Sequence, residues 1–119
     1  MYIEKIFWLD KNSKEAEIHV TDGADSIVCF SHPCEHAVGD VLKDPIEVLD
    51  IHDVKIDEPK YMVNRIGSSY AYQIQGEVDM EKSIIKISNI YIHIDICDLP
   101  GDVVSGNYIS AIVDRFDIW

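Results

Sequence analysis

Apolar and polar residues alternate along most of the chain, which is the pattern of strands with one face in a core. Residues 16–20 alternate cleanly, and Asp22 with Gly23 supplies the turn that closes them onto residues 26–30. Residues 1–9 are apolar and aromatic enough for a preceding strand. The first thirty residues therefore predict a strand followed by a hairpin.

Two later segments, 46–57 and 84–96, change the face on which their apolar residues fall. A change of this kind is typical of a β-bulge or a sharply coiled strand. The second segment slips at Ser88 and Asn89, and it is too long for a small domain if it runs straight, so we expect it to bend or break there. Residues 108–119 are apolar on both faces, which predicts a central strand.

The segment between these strands predicts one short helix or a loop, and one hairpin. Residues 57–67 begin with Asp57 as a candidate helix N-cap and end with Gly67, which suits a left-handed C′ position, so one short helix is compatible with them. Residues 70–78 alternate and are expected to pair with the following strand across a turn at residues 80–82.

The composition extends the prediction from individual strands to a fold class. The chain contains 19 Ile and 11 Val but only 4 Leu and 5 Ala. Branching at Cβ disfavours helices and suits a pleated surface, so an all-β fold is predicted. A chain of 119 residues can bury about two thirds of its surface in one core. We expect residues 1–119 to form a single domain, an OB-like small barrel or β-sandwich with at most one short helix.

The cysteines and the N-terminal residues bear on location. Three cysteines, Cys29, Cys34 and Cys97, do not form an even disulfide framework, so reduced thiols are expected. The first ten residues lack the basic and apolar segments of a signal peptide. The most apolar stretch, 84–96, is interrupted by polar residues and falls short of a membrane span. These features predict a soluble, cytoplasmic protein with no membrane partner.

The sharpest cluster of chemistry is His32, Cys34 and His36, with two imidazoles and a thiol within five residues. Zinc binds such side chains, and further ligands could come from His19, Cys29, His93, Asp95 and Cys97. The spacing lacks the paired ligands on two turns that structural zinc sites use. Cys34 between two histidines is also the only local candidate for a nucleophile, and no nucleophile elbow is present. The sequence therefore predicts no metal, no cofactor and no enzyme activity.

Two other ligand classes receive little support. Asp95, Asp98 and Asp102 lack the alternating ligands and distal Glu of a calcium loop, and the Pro100-Gly101 pair between them favours a turn. Aromatic residues that could stack on single-stranded nucleic acid are Tyr70, Tyr72, Tyr91, Tyr108 and Trp119. A polyanion requires Lys and Arg, however, and the chain has ten of these against 22 acidic residues. Direct binding of nucleic acid is therefore not expected.

The acidic charge is the strongest functional signal in the sequence. A formal net charge of -12 on so small a domain attracts basic partners and repels nucleic acid. In size, charge and lack of catalytic groups, the chain resembles the small acidic immunity proteins of bacterial toxin and immunity systems. That resemblance, which is to a class and depends on no motif, implies stoichiometric inhibition of a basic, nuclease-type toxin.

Acidic residues at predicted turns and strand edges are the expected contacts with a basic protein partner. The predicted partner-binding residues are Asp50, Asp53, Asp57, Asp98 and Asp102. Exposed Tyr or Trp side chains are expected to supply the buried anchors. The alternative hypothesis is an OB-like binding module for nucleic acid or for a small ligand or metal, and a hydrolase of unfamiliar geometry is a third.

Overall fold

Nine strands form one curled, mostly antiparallel sheet, so the all-β, barrel-like fold class is confirmed. The computed structural model describes residues 1–119. The strands are β1 (Tyr2–Asp10), β2 (Glu15–Thr21), β3 (Ser26–Ser31), β4 (Glu47–Asp57), β5 (Met62–Arg65), β6 (Tyr72–Asp79), β7 (Ile84–Ile87), β8 (Ile90–His93) and β9 (Tyr108–Asp117). A single 3₁₀ helix spans Ile96–Asp98.

Strand β9 is the centre of the sheet, as its two apolar faces predict. Along one side it pairs antiparallel with the whole of β4. Along the other side it pairs with β6 at its start and, at Phe116 and Asp117, parallel with Cys29 and Phe30 of β3. Because β6 leaves β9 where β3 arrives, β9 joins the β1–β2–β3 meander to the curled part of the sheet.

The curled part closes on itself at one end. Ile46, just before β4, lies beside β8: its N–H donates to the Tyr91 carbonyl at 2.9 Å, and its carbonyl accepts from the His93 N–H at 2.8 Å. The curl brings β7 against Gly76 of β6, where an added Cβ would lie 2.5 Å from the Lys86 carbonyl oxygen. Only glycine allows the two strands to approach so closely.

A continuous core fills the inside of the sheet, and isoleucine is its commonest residue. Phe116 is fully buried, and its ring centroid lies 5.3 Å from that of Tyr72. The Tyr72 hydroxyl accepts a hydrogen bond from the Val28 N–H at 2.9 Å. This contact ties β6 to β3, so the meander and the curled part share one core.

Most local predictions agree with the structure. The β2–β3 turn uses Gly23 with φ +97°. The predicted slip at Ser88 and Asn89 is the turn between β7 and β8, with Ser88 at φ +55°. The predicted bulge in β4 is a register shift between His52 and Lys55.

The predicted helix over residues 57–67 is wrong. Residues 62–65 form β5, which pairs with β6 through Met62 opposite Gln75 and Arg65 opposite Tyr72. Gly67, at φ +60°, serves the β5–β6 turn instead of a helix end. Capping signals alone cannot sustain so short a helix, whereas pairing with a neighbouring strand satisfies its backbone groups.

None of the helical segments has the length and apolar character needed to cross a membrane.

Candidate functional site

Strand β4 concentrates acidic residues along an edge of the sheet. Residues 44–58 contain six acidic side chains and one lysine. Apart from the bridge at Ile46, β4 has β9 as its only strand partner, so its other edge faces away from the sheet. Three predicted partner-binding residues, Asp50, Asp53 and Asp57, lie on this strand.

Two residues of β4 have left-handed backbone conformations that kink the strand. Asp50 has φ +64° and Asp53 has φ +53°. Among residues other than glycine, Asp and Asn tolerate this region best because their short side chains bond locally. The register with β9 shifts between His52 and Lys55, so the bulge turns the Asp53 side chain away from the regular alternation. Asp50 lies where the register is unbroken, and its side chain is exposed.

His52, between the two kinks, is held by two carboxylates. Its Nε2 lies 2.9 Å from Asp114 Oδ1 of β9, and its Nδ1 lies 3.1 Å from Asp53 Oδ2. These hydrogen bonds, with Asp114 contributing most, raise the pKa of His52 above its ordinary value of 6.5. The hydrogen bonds fix the orientation of the imidazole between the two strands, so His52, Asp53 and Asp114 form one charge cluster on this edge of the sheet.

The far end of β4 combines one acidic residue with two aromatic rings. The Asp57 carboxylate accepts the Glu58 N–H at 2.8 Å, and this bond lowers the pKa of Asp57. Opposite Asp57 in the ladder, Tyr108 packs against Tyr61 with 5.8 Å between ring centroids. A hydrogen bond with Tyr61 raises the pKa of Tyr108 to about 12, so the Tyr108 phenol stays neutral at physiological pH.

The 3₁₀ helix packs against β4 and brings a distant part of the chain to the same surface. It carries Asp98, whereas Asp102 lies exposed in the turn that follows. The carboxylates of Asp50, Asp98 and Asp102 make no hydrogen bond or ion pair within the chain, so they remain available to a partner.

Exposed apolar side chains lie on the same elements as these acidic residues. Leu49 is 49% exposed, Ile56 43% and Ile96 39%. We call the combined set the β4 surface: Leu49, Asp50, His52, Asp53, Ile56, Asp57, Ile96, Asp98 and Asp114. Apolar contacts beside unpaired charges are typical of protein interfaces.

The chain matches no known family model, curated protein or solved structure. The interpretation of the β4 surface therefore depends on its own geometry and charge.

Several members of the β4 surface were not predicted from the sequence. His52 and Asp114 are 62 residues apart, and only the pairing of β4 with β9 joins them. Leu49 and Ile56 are separated by an odd number of positions, so on a straight strand their side chains would point to opposite faces and one of them would be buried. The phase change in residues 46–57 was the one available signal, and it indicated a bulge without showing which side chains it exposes.

The histidine and cysteine cluster does not form a site. Cys34 is buried, whereas His36 places Nε2 2.9 Å from the Trp119 carbonyl oxygen. Burial raises the pKa of the Cys29 thiol, which keeps it protonated and unreactive. The structure contains no group of three or more His, Cys, Asp or Glu side chains arranged to hold a metal ion.

The aromatic residues considered as a stacking platform have separate roles. Tyr72 is buried in the core, and the Tyr70 hydroxyl donates to Glu17 at 2.7 Å. Tyr108 packs against Tyr61, which leaves Trp119 the most exposed of the group at 76%. A buried ring cannot stack on a base, so these five residues do not make one platform.

One open groove of about 760 Å³ lies between the loop before β4 and the end of β9. Lys43 and Lys82 line it without ion-pair partners, and Trp119 forms part of its wall. In the same groove His93 places Nδ1 2.9 Å from Glu47 Oε2, which leaves that carboxylate occupied.

Proposed function

We propose that this chain is a non-enzymatic protein-binding domain, an immunity-type protein that binds and inhibits a basic, nuclease-type toxin through its β4 surface. The observation that carries the proposal is the concentration of carboxylates, of which Asp50 and Asp98 have no partner in the chain, beside exposed apolar side chains on one edge strand and the adjoining 3₁₀ helix. The partner's Lys and Arg side chains would meet Asp50, Asp53 and Asp98.

Charge and apolar contact have different tasks in this mechanism. The net charge of -12 speeds encounter with a cationic protein and disfavours anionic competitors. Leu49, Ile56 and Ile96 lose water on binding and supply most of the affinity. Inhibition is stoichiometric because no group on the surface changes covalently.

The test uses the protein encoded by the neighbouring gene, because a toxin and its antidote are usually made together. The two are mixed and titrated by calorimetry at low and high salt, while the partner's nuclease activity is followed. We expect a one-to-one complex that weakens with salt and abolishes the activity. Replacing Asp50, Asp53 and Asp98 by Asn should weaken binding at least tenfold.

A matched control replaces three acidic residues on or beside β1, β2 and β3, Glu4, Glu15 and Asp25, by the corresponding amides; none of their carboxylates makes a hydrogen bond or ion pair within the chain. This variant has the same net charge as the β4 variant, so equal weakening of the two would indicate a nonspecific field and contradict the proposed surface. A neighbour-encoded protein that does not bind, or that keeps its nuclease activity in the complex, would contradict the proposed function.

A further inference from the structure

Strand β1 is another open edge of the sheet, and its surface differs in kind from that of β4. Phe7, Trp8 and Leu9 are three consecutive large apolar side chains, exposed by 49%, 40% and 51%. The loop residues 39–42 cover the edge only over residues 1–3: Gly39 and Asp40 hydrogen-bond Ile3 at 2.8 and 2.9 Å, and the Leu42 N–H donates to the Met1 carbonyl at 3.0 Å. Beyond Ile3, β1 has β2 as its only strand partner.

The hydrogen-bonding direction of each β1 residue follows from the β2–β3 turn. The Asp22 N–H donates to the Asp25 carbonyl, so even-numbered residues of β2 face β3 and odd-numbered residues face β1. Phe7 pairs with Glu17 and therefore bonds to β2. Ile6 and Trp8, on either side of it, then direct their N–H and C=O groups at the open edge.

This pattern allows self-pairing and restricts its register. Two antiparallel copies of β1 can exchange hydrogen bonds only where open groups face open groups, and the register that pairs both open residues of each copy places Ile6 of one copy opposite Trp8 of the other. Phe7 then lies on the two-fold axis, opposite the Phe7 of the second copy. The regular segment between the two register shifts, residues 5–8, is the part that pairs.

Charge disfavours a basic partner at this edge, and apolar contact favours a second copy. Residues 1–14 contain three lysines and two acidic residues, whereas the whole chain has ten Lys and Arg against 22 acidic residues. A cationic protein therefore gains little at β1. In the self-paired register, Lys5 of each copy lies opposite Leu9 of the other, and Glu4 lies opposite Asp10 beyond the regular segment, so the pairing depends on the backbone and apolar side chains of residues 6–8 and not on charge.

We propose that β1 is a homodimerisation edge, at which two copies of this chain pair antiparallel about Phe7 to extend the sheet across the two-fold axis. The paired segment is short, so association is weak and concentration-dependent. The dimer leaves β4 open on each copy, because β1 and β4 belong to opposite margins of the sheet. The inference is independent of the proposed function.

A charge swap at the axis tests the pairing and its register. We expect the light-scattering mass of the wild type to rise from 13.6 kDa towards twice that value with increasing concentration. Phe7→Lys and Phe7→Glu each put like charges face to face on the axis and should remain monomeric. An equimolar mixture of the two variants pairs Lys with Glu and should regain the dimer mass. Val104→Lys, which changes an exposed apolar residue (59%) in the loop before β9, is the control and should dimerise as the wild type does.

Amide hydrogen exchange of the wild type gives a readout that survives any loss of stability in the variants. The N–H groups of Ile6 and Trp8 should become protected only as concentration rises, whereas that of Phe7 is protected throughout. A wild type that stays monomeric, a mixture that does not regain the dimer mass, or protection of Ile6 and Trp8 that is independent of concentration would overturn the proposal.

Discussion

Two open margins of the sheet, β1 and β4, show two ways in which an edge strand can face solvent. Strand β4 carries acidic residues, two left-handed residues and a register shift, and these features disfavour pairing with another strand. Strand β1 keeps a regular segment over residues 5–8, with apolar side chains at residues 6–8, between its own register shifts. The difference underlies the two proposals: a partner recognised by side chains at β4, and a strand paired through the backbone at β1.

If β1 and β4 are edges of one cooperative sheet, they should unfold together. Replacing Phe116 tests this, and it has the largest expected effect on the free energy of unfolding. Phe116 is fully buried and is paired with Cys29 of β3 and with Val48 of β4. We expect Phe116→Ala to lower the free energy of unfolding by about 3–5 kcal/mol. Urea denaturation followed by Trp8 fluorescence and by the His52 NMR signal should give one coincident transition. Separate transitions would show that the two margins fold independently.

Gly76 tests the curl that positions β4 relative to the rest of the sheet. A methyl group at this position meets the Lys86 carbonyl and the side chains of Ile85 and Ile87 within 2.9 Å. We expect Gly76→Ala to destabilise the protein by about 1–3 kcal/mol through overpacking. Gly101→Ala, which meets no atom within 4 Å, is the matched control for thermal unfolding. Equal effects of the two substitutions would contradict the close approach of β6 and β7.

The left-handed backbone of Asp50 predicts a smaller effect on stability, and this effect distinguishes β4 from β1. Asp50 has φ +64°, whereas no residue of β1 has a positive φ. Asp50→Val should cost about 1–2 kcal/mol in backbone strain, and Asp50→Gly should be tolerated. Lys5→Val, the same kind of change on β1, should leave the urea midpoint nearly unchanged. A tolerated valine at position 50 would show that the kink is not required.

The smallest expected effect concerns the titration of His52. The pKa of His52 in the folded protein is raised by Asp114 and Asp53. The hydrogen bonds of His52 with these two carboxylates therefore stabilise the folded protein in full below pH 6.5, and the stabilisation is lost as the pH rises through the folded pKa. Asp114→Asn should move the NMR-detected pKa of His52 down towards 6.5. Asp102→Asn is the control and should leave the titration unchanged. An unshifted His52 in the Asp114→Asn variant would show that Asp114 does not hold the imidazole.

The sequence predicts those parts of β4 and β1 that depend on local chemistry. The phase change in residues 46–57 indicates a bulge because a one-residue shift turns every later side chain to the other face. It cannot show that His52 meets Asp114, since the partner strand lies 62 positions away. For the same reason the 3₁₀ helix carrying Asp98 reaches the β4 surface only in the folded chain.

The sequence by itself determined the all-β class, the hairpin turn at Gly23, the break at Ser88 and the acidic balance of the whole surface. Each of these follows from side-chain branching, backbone freedom or a sum of charges, which do not require knowledge of distant neighbours. The tertiary structure alone decided that residues 62–65 form β5, which edges remain open, and which carboxylates stay unpaired. Those outcomes depend on which strands pair, and pairing in a sheet joins residues that are far apart in the chain.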